Sequence, residues 1–358
     1  MAAPQFLELK REFPLVLGGS LAEVVVRYEE FGRPRGDGRD TLVVFPALSA
    51  HSHLRSTAED PVEGWWEEMV GPGRTFDTER WHIVCASLLG SCYGTTGGLS
   101  TDPRTGRPYG RDFPQITPSD QVHVHAALLD ALGLKRVHAA IGASLGGMQV
   151  LQFAAEYPDR LDRFIAISMT AKTTPHTVAL RRIGRLAILN DPAYMDGRYE
   201  PGRGPVSGIK LAREIGTILY RSRDEFNQRF SWDPIGPLGP AAKAFEVEQY
   251  LAAQADRFAT RFDPNCYLTL SRCMDLMDLG QGCRSLKEGV LRIKARGLIV
   301  GVDRDALIPI DEQEAVFKTL RAAERDVRFE RLSSVFGHDA FLKEFEWQKH
   351  HFAPFLEA

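Results

Sequence analysis

The stretch VHAAIGASLGGMQVLQFAAEY, residues 137–157, decides the fold. It begins with a short apolar run typical of a buried strand, passes through Gly142-Ala-Ser-Leu-Gly146, and ends with helical spacing. The pattern G-x-S-x-G between a strand and a helix predicts a sharp turn that isolates the serine hydroxyl. The helix that starts there directs backbone N–H groups toward any oxyanion formed nearby. We therefore predict that Ser144 is a nucleophile; a glycine-rich turn with an incidental serine is the alternative.

Composition excludes several other classes of protein. The chain has 358 residues, 44% hydrophobic and 25% charged, with a net charge of -3. Without a basic surplus to neutralise phosphates, we expect no nucleic-acid partner. No apolar run approaches the roughly 18 residues of a membrane span, and no signal peptide is visible, so we expect a cytoplasmic protein without a membrane partner. The five cysteines lack any C-x-x-C spacing, which indicates reduced thiols and no metal site.

The order of predicted elements indicates the fold class. Alternation over residues 6–31 predicts antiparallel strands, and continuous apolar runs at 41–45, 81–85, 164–168 and 297–301 predict buried parallel strands. Residues 64–73 are typical of a short helix. Between residues 174 and 290 the apolar spacing is helical. We predict an α/β-hydrolase fold, a mostly parallel central sheet flanked by helices, with residues 1–173 and 291–358 as its core and 174–290 as an inserted helical lid.

A serine nucleophile needs a base, and the base needs a carboxylate to orient it. In this fold the chain order is serine, then acid, then histidine. His338 follows the last predicted strand, whereas His350 and His351 fall inside the terminal helix. Asp303 and Asp305 both follow the strand at 297–301, and the D-x-x-x-P ending favours Asp305 over Asp303. We predict a Ser144, Asp305 and His338 triad.

The oxyanion hole should consist of two backbone N–H groups. One belongs to Leu145, directly after the nucleophile, and the other to Leu48 in the loop after the strand at 41–45.

The chain resembles the homoserine O-acetyltransferases of the α/β-hydrolase superfamily along nearly its whole length. The shared stretches are residues 64–66, 71–80, 89–97, 106–114, 141–149, 245–251, 261–267 and 337–341. The resemblance implies the same triad and ping-pong chemistry, in which Ser144 takes an acyl group from acetyl-CoA and passes it to the hydroxyl of L-homoserine, for methionine biosynthesis. It implies no tightly bound cofactor, and a homodimer formed through the lid.

The resemblance also assigns residues that bind the acceptor. Arg213, on a predicted lid helix, would hold its carboxylate, which suits the fork of a guanidinium. Tyr220 lies seven residues further along the same helix face. Asp339, next to His338, would pair with the acceptor's amino group.

The sequence leaves three alternatives open and argues against a fourth. Residues 217–226 and 272–278 also resemble relatives that acylate L-serine, which belongs to cysteine biosynthesis and differs from homoserine by one methylene. Succinyl-CoA is an alternative donor. A carboxylesterase with the same triad is a more remote possibility, and a non-catalytic binding module would require a broken triad.

Overall fold

The computed structural model describes residues 4–9, 12–200, 202–240 and 242–358. Its main feature is an eight-stranded sheet in the order β1-β2-β4-β3-β5-β6-β7-β8. The strands are β1 (Gln5–Leu9), β2 (Val24–Phe31), β3 (Thr41–Phe45), β4 (His82–Ala86), β5 (Val137–Ala143), β6 (Leu161–Ile167), β7 (Arg296–Val302) and β8 (Val327–Leu332). Two short hairpins, Phe13–Pro14 with Ser20–Leu21 and Thr101–Asp102 with Arg107–Pro108, lie outside this sheet.

Six neighbouring strands of the sheet, from β4 to β8, are parallel. β2 runs antiparallel to both β1 and β4. Because parallel strands end at the same edge, the loops after β3, β5, β7 and β8 meet there. The predicted α/β-hydrolase fold, with antiparallel strands at its start, is confirmed.

Ten helices are described. They are α1 (Pro118–Ala131), α2 (Leu145–Glu156), α3 (Pro175–Leu189), α4 (Val206–Tyr220), α5 (Arg223–Arg229), α6 (Glu246–Ala259), α7 (Pro264–Asp275), α8 (Leu286–Leu291), α9 (Ile310–Ala322) and α10 (Phe345–Glu357). Short 3₁₀ segments occupy Gly110–Asp112, Pro192–Gly197 and Gly337–Leu342.

The sheet is buried on both faces, which explains its continuous apolar runs. Along β3, Val43 and Phe45 belong to one hydrophobic cluster and Leu42 and Val44 to another. Successive side chains of a strand point to opposite faces, so the two clusters lie on opposite sides of the sheet. All five residues of β3 are buried.

Helices α3 to α8 fall between β6 and β7; α3 to α7 lie inside the range predicted for the lid, and α8 ends at Leu291, one residue beyond it. Thr174 accepts a hydrogen bond from the N–H of Thr177 and Pro175 follows it, so α3 has a favourable N-terminus. α3 packs on α4 and α7, and α4 packs on α6.

The short helix expected over residues 64–73 is wrong, because this segment is a series of turns. Tertiary contacts hold this segment: the chain passes so close to Leu54 that a Cβ on Gly64 would lie 2.1 Å from a backbone carbon, and Trp66 Nε1 donates a hydrogen bond to the oxygen of Phe341 at 3.0 Å.

Candidate active site

Ser144 lies in a strained turn between β5 and α2. Its φ is 56° and its ψ is -123°, a combination that side-chain-bearing residues rarely adopt. The turn is held by a hydrogen bond from the N–H of Ser144 to the carbonyl oxygen of Ile167 at 3.0 Å. A Cβ on Gly146 would lie 2.0 Å from the oxygen of Phe45, and one on Gly142 would lie 2.5 Å from the backbone of Gly146. The two glycines of the motif are therefore required by close backbone packing.

Replacing Gly146 with alanine should strongly destabilise the protein. The new methyl would overlap a backbone oxygen of a buried strand that has no free space to move, so we expect a loss of about 3 kcal/mol or more in the free energy of unfolding. The measurement is chemical denaturation of the variant beside Gly36→Ala, where an added Cβ meets nothing within 4 Å. Equal stability of the two variants would contradict this packing account.

His338 and Asp305 form a buried pair at the same edge of the sheet. His338 Nδ1 lies 2.6 Å from Asp305 Oδ2. The other carboxylate oxygen of Asp305 accepts hydrogen bonds from the N–H groups of Leu307 and Ile308 at 2.9 and 2.8 Å. His338 Nε2 is buried, and none of the described residues forms a hydrogen bond with it. Burial is the largest single effect and disfavours the imidazolium, but the charge and hydrogen bond of Asp305 and the charge of Asp339 together outweigh it and raise the pKa of His338.

Asp303 occupies a different environment. Its Oδ1 accepts a hydrogen bond from Arg331 Nη1 at 2.9 Å, and both side chains are partly exposed. Of the two candidate acids, Asp305 therefore pairs with His338, and Asp303 forms a surface ion pair with Arg331.

One cavity joins the predicted residues. Ser144 and His338 line it, together with Leu48 from the loop after β3 and with Arg213, Tyr220 and Asp339. Leu145 is the first residue of α2, so its N–H has no acceptor within the helix.

Arg213 lies in the cavity wall on α4. Its guanidinium lies over the rings of Phe258 and Tyr220, at 4.9 and 5.6 Å. Its Nε is buried and has no hydrogen-bond partner within the described ranges. Tyr220 lies beside the imidazole of His338, with ring centroids 6.0 Å apart, and burial raises its pKa. A cation held by aromatic faces remains available to bind an anion.

Asp339, which the resemblance assigns to the acceptor's amino group, already has a partner within the chain. Its Oδ2 accepts a hydrogen bond from Arg221 Nε at 2.9 Å, and Arg221 also binds Glu225 at 3.1 Å. This arrangement fixes the position of the carboxylate at the cavity wall.

Two groups of polar residues were not found by sequence reasoning. Behind the loop that carries Leu48, the buried Glu29 accepts hydrogen bonds from Ser52 Oγ at 2.8 Å and His53 Nδ1 at 2.7 Å. In the lid, Arg181 lines the cavity and binds Asp275 at 2.8 Å. No local sequence pattern joins these residues, because their partners lie 23 to 94 positions away.

A sequence profile described as the alpha/beta hydrolase fold matches residues 40–344. A homoserine O-acetyltransferase of Symbiobacterium thermophilum is 44% identical, over 93% of this chain and 89% of the relative. A serine O-succinyltransferase of Litchfieldella anticariensis is 43% identical, over 99% of this chain and 97% of the relative. The chain belongs to the homoserine O-acetyltransferase family of α/β hydrolases. Membership in this acyltransferase family confirms the resemblance inferred from the sequence motifs.

Solved structures agree on the fold. Esterase E22 is 26% identical with a TM-score of 0.92, over 99% of this chain and 100% of the esterase. A homoserine O-acetyltransferase from Bacillus anthracis has a TM-score of 0.93 at 24% identity, over 100% and 98% of the two chains.

In the part of the chain that the structure describes, no helix has the length and apolar character to cross a membrane, and no three acidic, histidine or cysteine side chains are placed to hold a metal ion.

Proposed function

We propose that the protein transfers a short acyl group from a coenzyme A thioester to the hydroxyl of L-homoserine, with L-serine as the alternative acceptor. The observation that carries this proposal is the cavity, in which the strained Ser144 and the buried His338 share a wall with the cation Arg213, whose Nε has no hydrogen-bond partner among the described residues. A hydrolase of neutral esters has no need of that cation, whereas an amino acid brings a carboxylate for it. The relatives' names support acetyl and succinyl as the donor's acyl group.

In the first half of the reaction, His338 Nε2 takes the proton of Ser144 Oγ as the oxygen attacks the thioester carbonyl. The N–H groups of Leu48 and Leu145 stabilise the oxyanion. When the intermediate collapses, the C–S bond breaks, the thiol of coenzyme A leaves with the proton from His338, and the acyl group remains on Ser144.

In the second half, the acceptor binds with its carboxylate on Arg213 and its ammonium on Asp339, near Tyr220. His338 takes the proton of the acceptor hydroxyl, whose oxygen attacks the acyl-enzyme carbonyl. The bond to Ser144 Oγ breaks, and that oxygen regains a proton from His338. Asp305 orients the imidazole throughout and stabilises its charged form.

The test is the release of coenzyme A from acetyl-CoA and from succinyl-CoA, each with L-homoserine, L-serine or no acceptor. Mass spectrometry should identify an O-acyl amino acid, and an acceptor should accelerate steady-state release. If release proceeds equally fast without acceptor and yields only the free acid, the protein is a thioesterase or esterase, as the similarity to esterase E22 would allow.

The pH dependence of acylation tests the roles of His338 and Asp305. His338 acts as a base only when neutral, so kcat/KM should fall as the pH drops through its pKa, which lies above the ordinary value of about 6.5. In Asp305→Asn the negative charge is gone and burial dominates, so the midpoint should move to lower pH while the rate falls by about 10⁴.

Asp303→Asn is the matched control for this profile, because it removes a carboxylate two residues away that binds Arg331. Its midpoint should stay at the wild-type value. An Asp305→Asn profile with an unshifted midpoint would show that His338 is not the group being titrated.

We propose a homodimer formed through the lid. Leu211 and Ile218 of α4 are 51% and 53% exposed, and their spacing of seven places them on one helix face. Exposed apolar residues clustered on a helix are typical of an interface. Sedimentation should give twice the chain mass of 39.9 kDa, and Leu211→Asp should favour the monomer; a wild-type monomer would refute this assembly.

We infer a cytoplasmic location. Cys85, Cys92, Cys266, Cys273 and Cys283 are all free thiols, which suits a reducing compartment. Fractionation of cells would test it, and recovery of the protein outside the cytoplasm would overturn it.

A further inference from the structure

The cavity contains a second arginine that the proposed acceptor chemistry does not use. Arg181, on α3, lines the cavity with only 8% of its surface exposed. Its Nε binds Asp275 Oδ1 at 2.8 Å, and its Nη2 donates to Thr173 Oγ1 at 3.3 Å. Its Nη1 is buried and has no hydrogen-bond partner in the part of the chain that the structure describes. A buried charged donor without a partner is unfavourable, which points to a ligand that satisfies it.

The charges around Arg181 do not balance. Asp275 lies between three arginines, since Arg185 approaches it at 2.6 Å and Arg272 at 3.3 Å in addition to Arg181. One carboxylate cannot neutralise three guanidinium groups. Glu312 is another acid that interacts with Arg181, but burial raises its pKa and it is not part of the cavity wall. Asp275 is shared among three arginines and therefore only partly neutralises Arg181, which lines the cavity beside α3.

Two cations in one cavity can bind two carboxylates. The acceptor amino acid has one carboxylate, which the proposed function assigns to Arg213 on α4. An acetyl group brings none, whereas a succinyl group brings a second carboxylate at its far end. Arg181 and Ser144 line the same cavity, and the charge of Arg181 acts on His338 and on Tyr220.

We propose that Arg181 binds the distal carboxylate of a dicarboxylic acyl group, so that the preferred donor is succinyl-CoA. The inference rests on the proposed function, because it assigns the acyl group that Ser144 receives. Arg181 Nη1 donates to the carboxylate while Asp275 holds the guanidinium through Nε. The covalent step is unchanged: the bond from Ser144 Oγ to the acyl carbon forms, the C–S bond breaks, and the distal carboxylate takes no part in bond making.

The first test uses the wild-type protein and needs no mutation. Acylation of Ser144 is followed as burst release of coenzyme A without acceptor, with succinyl-CoA, butyryl-CoA and acetyl-CoA as donors. Butyryl has the same four-carbon chain without the distal carboxylate. A site built to bind a charged group should prefer succinyl over butyryl by about 100-fold or more in kcat/KM. Equal rates for these two donors, or a preference for acetyl over succinyl, would overturn the inference.

The second test compares Arg181→Gln with Arg182→Gln, its exposed neighbour on α3. Arg181→Gln should lose about 100-fold in kcat/KM for succinyl-CoA and change little for acetyl-CoA, whereas Arg182→Gln should alter neither. An equal loss for both donors, with or without a lower melting temperature, would mean that Arg181 only supports Asp275 and the lid.

The outcomes separate this inference from the proposed function. If acetyl-CoA acylates Ser144 and succinyl-CoA does not, the inference fails and the acyltransferase proposal stands. If no donor acylates Ser144, the proposed function itself fails.

Discussion

Replacing Ser144 with alanine should abolish formation of the acyl-enzyme. Without the hydroxyl, His338 has no proton to remove and the acyl group has no oxygen to bind, so we expect kcat to fall by about 10⁴ to 10⁶. The measurement is burst release of coenzyme A, combined with mass spectrometry of the peptide that contains residue 144. The fold should survive, because Ser144 Oγ does not maintain the turn: the backbone hydrogen bond to Ile167 does.

Ser168 provides a matched control. It follows β6, the neighbouring strand, is buried, and also has a positive φ of 46°. Ser168→Ala should still release a burst of coenzyme A. An acyl adduct at full yield in Ser144→Ala would refute the nucleophile assignment, whatever residue carried it.

Replacing Arg213 with alanine should separate the two half-reactions. The guanidinium is assigned to the acceptor carboxylate, and loss of a two-pronged charged hydrogen bond costs about 3 kcal/mol, or about 100-fold in acceptor kcat/KM. Acyl-enzyme formation needs no acceptor and should change by less than a few-fold. Arg213→Lys keeps the charge but loses the two-pronged geometry, so its acceptor kcat/KM should lie between those of the wild type and Arg213→Ala.

Lys210→Gln is the control on the same helix, because Lys210 lies in an exposed pair with Asp256 at 2.6 Å. It should leave both half-reactions intact. A parallel loss of both half-reactions in Arg213→Ala would assign this arginine to the shape of the lid, since Phe258 and Tyr220 pack against it.

Together with the comparison of succinyl-CoA, butyryl-CoA and acetyl-CoA, these variants assign one part of the cavity to the acceptor and another to the acyl donor. Arg213 variants should affect the acceptor step for any donor, and Arg181 variants should affect the donor step for any acceptor. Shared effects would indicate a single anion site formed by both arginines.

The sequence by itself determined the fold, because local patterns of apolar residues indicate where each strand and helix lies. Continuous apolar runs mark strands buried on both faces, and β3 is buried throughout. The run over residues 137–157 identified the turn at Ser144 because packing at Gly142 and Gly146 tolerates no side chain. The expected helix over residues 64–73 was wrong because its aromatic residues serve tertiary packing: Trp66 is fully buried and donates a hydrogen bond to the oxygen of Phe341, 275 residues away.

Only the tertiary structure decided which distant charges meet. The D-x-x-x-P ending favoured Asp305 over Asp303 as the partner of His338, but the contacts themselves depend on the turn after β7, which brings Asp305 to His338 and Asp303 to Arg331. The resemblance assigned Asp339 to the acceptor's amino group, and the structure shows that its carboxylate also binds Arg221. Arg181 and Arg182 are indistinguishable in a helical pattern, yet packing of α3 on α7 buries the first beside Asp275 and leaves the second exposed. Hydrophobic periodicity is a local property, whereas the pairing of charges depends on where long-range packing places them.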